Sequence, residues 1–217
     1  AFEKLEIRKD LGLLIKTIQN GIYKPEHFRK KGIKLVRMYN IESNSININS
    51  KNLQEIELSD DEKKAFELKK DDVLLSRVNS AELVGKCGVV EDSFKGFAFE
   101  NMIIRIITDG EKLIPKYLAY FLLSIIGKKE IKRITRLAIN QASINNKDVK
   151  TLKISLPSSL MEQEIIVRRL SENFSAIDKI RNNIFFKVKA INQLQSAVLN
   201  EMLGKYERYN DRKEDSR

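Results

Sequence analysis

The sequence predicts an α+β protein: a globular domain with a curved β-sheet and flanking helices, followed by one long C-terminal coiled-coil helix. Three observations carry that expectation. Residues 1–157 contain short runs rich in Val, Ile and Phe, punctuated by Gly32, Gly85, Gly88, Gly96 and Gly110, as strands and turns require. From Glu162 onward Gly and Pro vanish until Gly204. Over that stretch apolar residues recur at Leu170, Phe174, Ile177, Ile184, Val188, Ile191, Val198 and Met202, and with Arg181 and Gln195 in the gaps the spacing alternates 4 and 3, the a/d rhythm of a coiled coil.

Taken in chain order, Lys4–Gln19 reads as a helix, and Lys34–Met38 as the first strand. The Asn- and Ser-dense stretch Asn40–Asn52 reads as a loop by composition. Ser59 followed by Glu62 is a capping box and starts a helix over Asp60–Glu67. Val73–Ser76, Cys87–Val90 and Phe97–Thr108 read as strands; Pro115 suits the first position of a helix running to Ile126, which Gly127 would end. Leu152–Leu156 is a final strand, and Pro157 fits the extended chain entering a second capping box, Ser159 with Glu162. The helix opened there, taken as roughly 160–204, would be on the order of 65 Å long at 1.5 Å per residue. Its continuous apolar stripe needs a partner helix, while Arg181 and Gln195 on the seam would help set register. The expected domains are therefore 1–157, the helix 158–204 and a polar tail 205–217.

Composition narrows the chemistry. Among 217 residues, no apolar run approaches the roughly 20 needed to cross a bilayer, so a cytoplasmic protein without a membrane partner is expected. One cysteine, Cys87, rules out an internal disulfide, and with one histidine, His27, the chain lacks the set for a Cys/His zinc cage. There is no Gly-x-x-x-x-Gly-Lys-[Ser/Thr] phosphate loop, no Gly-x-Gly-x-x-Gly and no Gly-x-Ser-x-Gly elbow. The Asn-Pro-Pro or Asp-Pro-Pro of amino-methyltransferases is missing as well, since all three prolines are isolated. No metal and no cofactor is expected in this chain.

Charge points to a polyanion. Forty Lys+Arg against thirty Asp+Glu leave +10, of which +8 falls on residues 1–161 and +2 on the remainder. The side chains suited to DNA, Arg for guanine, Asn and Gln for adenine, Lys and Tyr for phosphate, gather in four places. They are Asn20–Lys31, Arg37–Asn40 running into the Asn-rich loop, Ser76–Ser80 with Lys86, and Arg133–Ser143. Taken singly, each is also what a polar loop on a basic protein looks like. From them the expected DNA contacts are Tyr23, Lys24, Arg29, Lys30, Arg37, Tyr39, Asn40, Asn44, Arg77, Asn79, Lys86, Arg136, Asn140 and Gln141.

Gly32–Ile41, Leu68–Ser80, Val84–Val90, Pro115–Ser124, Asn140–Asn145 and above all Ile154–Val167 (ISLPSSLMEQEIIV) come in an order that resembles the target recognition domain of Type I restriction-modification specificity subunits. The likeness covers about residues 12–204. It implies a non-catalytic module that reads one half of a bipartite site in double-stranded DNA and positions methyltransferase subunits, with S-adenosylmethionine bound by that partner and a restriction subunit engaged indirectly. A family member typically carries two recognition domains and two long helices, whereas this sequence has one of each. A half-subunit acting as a homodimer through the C-terminal helix, or a fragment of a longer chain, would account for the difference. Two readings compete: a small metal-dependent nuclease using Asp60, Asp61 and Glu62 beside Lys63 and Lys64, and a basic coiled-coil adaptor for acidic proteins.

Overall fold

The computed structural model describes residues 2, 5, 7–25, 32–80, 83–139 and 141–214. The chain forms two compact units, residues 1–170 and residues 171–217.

The centre of the first unit is a four-stranded antiparallel sheet in the order β2 (Ile15–Asn20), β9 (Ile103–Thr108), β5 (Val73–Ser76), β7 (Cys87–Val89). β5 is buried along its whole length and β9 nearly so, which is why their sequences read as unbroken apolar runs, not as alternation. Arg105 is the exception in β9. Its guanidinium donates to the Glu67 carbonyl (2.8 Å), the Ala65 carbonyl (3.0 Å) and Gln19 Oε1 (2.6 Å), so the buried charge is met on several sides.

Three smaller sheets surround this one. β3 (Ile33–Val36) pairs antiparallel with β4 (Gln54–Ile56) and parallel with β8 (Ala98–Phe99), while β1 (Ile7–Asp10) pairs antiparallel with β12 (Lys153–Leu156). β11 (Gln141–Ser143) joins β10 (Arg136–Ala138) to β6 (Val78–Asn79). Val36, Ile41, Leu68, Leu74, Phe99 and Ile103 form the core between the sheets. Beside it, Phe2 meets Tyr117 and Phe121 of α2 (Pro115–Leu123) edge-on, at 5.4 and 5.6 Å between centroids.

Two expected helices differ from what forms. The stretch expected as a helix over Lys4–Gln19 is, among its described residues, β1, a 3-10 turn at Leu11–Leu13 and β2. Its apolar spacing suits a helix, but the partners β12 and β9 present open edges, and ladder pairing with buried strands outweighs local propensity. The helix placed over Pro115–Ile126 stops at Leu123, and α3 (Ile125–Ile134) begins two residues later. Ser124 serves both ends: its hydroxyl donates to the Phe121 carbonyl (2.6 Å) and accepts the Gly127 N–H (3.1 Å). Gly127 thus stands in the first turn of a helix instead of ending one, at a place where a Cβ would lie 2.0 Å from the Phe121 carbonyl oxygen.

The capping box of α1 (Asp60–Phe66) forms in both directions, Glu62 N–H to Ser59 Oγ at 3.3 Å and Ser59 N–H to Glu62 at 2.9 Å. At the start of α5 (Leu160–Glu214), Ser159 accepts the Glu162 N–H (3.2 Å), but the Glu162 carboxylate turns to Ser158, taking its N–H and hydroxyl (2.9 and 2.8 Å). The next residue, the buried Gln163, accepts the Ile114 N–H and donates to the Lys112 carbonyl, both at 3.0 Å. Glu162-Gln163, the pair in the most diagnostic motif of the sequence, is thus a structural joint. The helical backbone runs ten residues past Gly204. In the second unit Ile177, Ile184, Val188, Ile191, Val198 and Met202 are 48–67% exposed and Phe174 is partly buried; Leu170, the last residue of the first unit, is partly buried as well. Exposed Phe185 and Phe186 add apolar surface off the heptad positions. Among the described residues no helix is long and apolar enough to cross a membrane.

Candidate nucleic-acid interface

The segment Glu100–Met102, which links β8 to β9, gathers the polar clusters. The Asn101 N–H donates to the Ile22 carbonyl (2.9 Å), which fixes the chain entering Tyr23 and Lys24. The Glu100 carboxylate accepts Arg37 Nε (3.0 Å) and the Met38 N–H (2.6 Å), so it orients the first residues of the second cluster. From the third cluster, the Arg77 N–H donates to the Met102 carbonyl (2.9 Å) and its Nη1 to the Asn101 carbonyl (3.3 Å). The fourth joins through the sheet β10-β11-β6, where Ala142 pairs with Asn79. Segments some 120 residues apart in sequence are thereby held around one short loop.

Within that frame the expected contacts divide by what already holds them. Arg37 lies over the Tyr39 ring, 4.6 Å from its centroid, and one Nη2–H reaches the Tyr39 hydroxyl (2.6 Å). A guanidinium has five N–H donors, of which these contacts use the Nε–H on Glu100 and one Nη2–H on Tyr39. Tyr23, Tyr39, Asn44 and Gln141 are exposed. Arg136 is exposed but paired with Asp148 at 3.1 Å. Lys24 meets the Glu62 carboxylate at 2.8 Å, and that hydrogen bond is the main cause that lowers the Glu62 pKa.

Asn40 and Lys86 are used inside the protein. Asn40 is 3% exposed; its Oδ1 accepts the Arg37 N–H (2.9 Å) and its Nδ2 donates to the Lys51 carbonyl (2.9 Å), which closes the Asn-rich loop on itself. Lys86 Nζ donates to the Met38 and Ile41 carbonyls (2.9 and 2.8 Å), and burial lowers its pKa. Both side chains shape the loop that carries Arg37, Tyr39 and Asn44. Arg29, Lys30 and Asn140 lie outside the described residues, as does the side chain of Asn79.

A cleft of about 670 Å³ runs beside this loop. Ser43, Asn44 and Lys86 border one side, Lys128, Ile131 and Lys132 of α3 another, and Leu137 of β10 closes it. Sequence reasoning missed Glu100, Asn101 and the α3 lysines. A carboxylate directly after the apolar run Phe97-Ala98-Phe99 was the available signal, because a charge at the end of a buried strand must find a partner.

Asp60, Asp61 and Glu62, the acids of the nuclease reading, occupy the first turn of α1, where Lys63 pairs with Asp60 at 3.0 Å and Lys64 approaches Asp61 at 4.0 Å. No group of three metal-ligating side chains occurs among the described residues. The Cys87 thiol is fully buried and donates to the Ala119 carbonyl, and burial pushes its pKa up to about 12.

The chain thus combines an α+β unit whose polar loops converge on one segment with a long helix that bears an exposed heptad stripe. The chain belongs to the Type I restriction modification DNA specificity domain family, whose model matches residues 15–190. It is 27% identical over 203 residues to the putative type I restriction enzyme MjaX specificity subunit of Methanocaldococcus jannaschii, covering 94% of this chain and 46% of that one. To the type I restriction enzyme StySPI specificity subunit of Salmonella potsdam it is 28% identical over 191 residues, covering 88% and 41%. The chain thus spans less than half the length of these relatives. Among solved structures, the HsdS subunit of Thermoanaerobacter tengcongensis superposes with a TM-score of 0.58 at 15% identity, over 81% of this chain and 44% of that one. The Type-I restriction-modification S subunit of M. genitalium gives 0.52 at 16%, over 82% and 43%, which establishes a shared fold.

Proposed function

We propose that this chain is a non-catalytic DNA-specificity module of a Type I restriction-modification enzyme, that its first unit reads one half of a bipartite site, and that a second copy of the chain reads the other half. The observation that carries this reading is the convergence of four polar clusters on Glu100–Met102, in a unit bearing most of the chain's positive charge. Arg37, Tyr39, Asn44, Arg77, Asn79 and Gln141 contact bases; Tyr23, Lys24, Arg29, Lys30, Arg136 and Asn140 hold the backbone; Asn40 and Lys86 shape the reading loop. The methyl donor and the catalysis belong to partner methyltransferase subunits.

The exposed heptad stripe supports pairing with a second copy. From Leu170 to Met202 the seam is about 48 Å at 1.5 Å per residue, and a two-fold antiparallel pair would set identical readers on an inverted repeat with an unread spacer. Half-sites one helical turn apart lie about 34–36 Å from each other.

The test is selection from a randomised duplex library by the purified chain at about physiological salt. An enriched inverted repeat with a fixed gap supports sequence reading and the homodimer together. One enriched half-site keeps the reading and removes the two-fold dimer. No enrichment, either alone or with the methyltransferase added, overturns the proposal in favour of an adaptor.

A further inference from the structure

The β10–β11 hairpin carries a feature that folding does not require. Ala138 pairs with Gln141, and Ile139, the residue that follows β10, is 94% exposed. Two-residue hairpin turns favour Asn, Asp or Gly, and a β-branched residue suits them poorly. Leu137, on the strand below, is 75% exposed. Neither side chain belongs to a core cluster, so both would be replaced by polar residues at no loss to the fold.

What surrounds these two apolar groups is basic. Residues 128–150 hold seven Lys or Arg against two acids, a net +5 within 23 residues. Both acids are already used: Glu130 pairs with Arg133 at 2.8 Å and Asp148 with Arg136 at 3.1 Å. Protein interfaces tend to deplete charge around their apolar centre, whereas a wedge entering DNA is an apolar tip set among cations that hold phosphates. The hairpin also lies where DNA would be: Leu137 shares the cleft with Asn44 of the reading loop, and β11 is hydrogen-bonded to β6, which carries Asn79.

We propose that this hairpin is a DNA wedge: Ile139, backed by Leu137, enters one base step of the duplex and unstacks it, while Lys128, Lys129 and Lys132 hold the flanking phosphates. The wedge rests on the DNA reading above and adds indirect readout to it, because pyrimidine–purine steps unstack more easily and would be favoured at a position no side chain reads.

The experiment uses the full chain alone, with 2-aminopurine placed in turn at each position of the duplex recovered by selection. Wild type should raise the fluorescence at one step. Ile139→Ser and Leu137→Ser/Ile139→Ser should bind about tenfold more weakly without that rise, and Ile125→Ser, at another exposed apolar residue, should behave as wild type. A mismatch at the responding step, which is already unstacked, should tighten wild-type binding and leave the Ile139→Ser variant unchanged. Binding by wild type with no fluorescence rise at any position overturns the wedge alone. So does an Ile139→Ser variant that keeps the rise, or one that binds DNA normally and loses only its association with the methyltransferase, which would make the hairpin a protein-docking element. Failure of wild type to bind any duplex overturns the DNA reading, and the wedge with it.

Discussion

Glu100→Gln tests whether the converging segment positions the reading loop. The Glu100 carboxylate holds Arg37 Nε at 3.0 Å and the Met38 N–H at 2.6 Å, and the two paired side chains are only 18% (Arg37) and 11% (Glu100) exposed. Glutamine has nearly the same shape and keeps one carbonyl oxygen for the Met38 N–H, so the loss is confined to the charge pair. Removing one partner from a fully buried pair costs about 3–5 kcal/mol; with some solvent at both groups the expected loss is about 2 kcal/mol. For a unit of this size that corresponds to a fall in Tm of roughly 4–8 °C. Thermal unfolding followed by circular dichroism reads the first effect. The second is read by comparing affinity for the selected duplex with that for a scrambled one. A freed guanidinium loses its aim, so Glu100→Gln should narrow the ratio, and Arg37→Ala should remove about 1–3 kcal/mol of discrimination against the wrong base. An unchanged Tm together with an unchanged ratio would sink the argument that Glu100 positions Arg37, and equal weakening on both duplexes by Arg37→Ala would make it a phosphate contact.

Other perturbations probe separate links. Ile184→Asp with Ile191→Asp places charges on the seam; each aliphatic side chain buried in a pair is worth about 1.5–3 kcal/mol, so sedimentation should show association weakened at least about a hundredfold, and an unchanged dimer would move the interface off the heptad face. Gly127→Ala, which in an ordinary helix interior stabilises by about 1 kcal/mol, should instead lower Tm, since its Cβ would lie 2.0 Å from the Phe121 carbonyl oxygen; a raised Tm would contradict the tight α2–α3 corner. Burial raises the Asp72 carboxyl above its ordinary value of 3.8, with the Lys69 N–H and Arg105 only partly offsetting it. The folded protein therefore holds this proton to higher pH than the unfolded chain, so the contribution to stability is present below pH 3.8 and is lost as pH rises through the raised value. Asp72→Asn should remove that part of the slope in urea titrations carried upward from pH 3.8, and an unaltered profile would show that Asp72 does not contribute it.

What could be read from residues alone was whatever is local or periodic. The heptad stripe of α5, the Ser59–Glu62 box and the buried run of β5 depend on neighbours a few residues away, and each formed as those neighbours dictate, whereas the single strand expected over Phe97–Thr108 is broken at Glu100–Met102 into β8 and β9 by the contacts that Glu100 makes with Arg37 and Met38. The excess of positive charge in residues 1–161, and the Ile154–Val167 motif that carries the family likeness, needed no structure either.

Tertiary structure decided what distance in the chain conceals. Whether residues 7–20 become helix or strand depended on the open edges of β12 and β9, which pair with them from about 90 to 150 residues away. Asn40 and Lys86 carry the same groups as the other residues expected to contact DNA, yet backbone carbonyls contributed by the folded loop take up their donors. Glu100 was invisible as a site residue for the same reason: its role arises only when folding brings Arg37 and Met38 to it across more than 60 positions. A sequence records which hydrogen-bonding groups exist, but only the packed chain settles which are satisfied internally and which remain for a ligand.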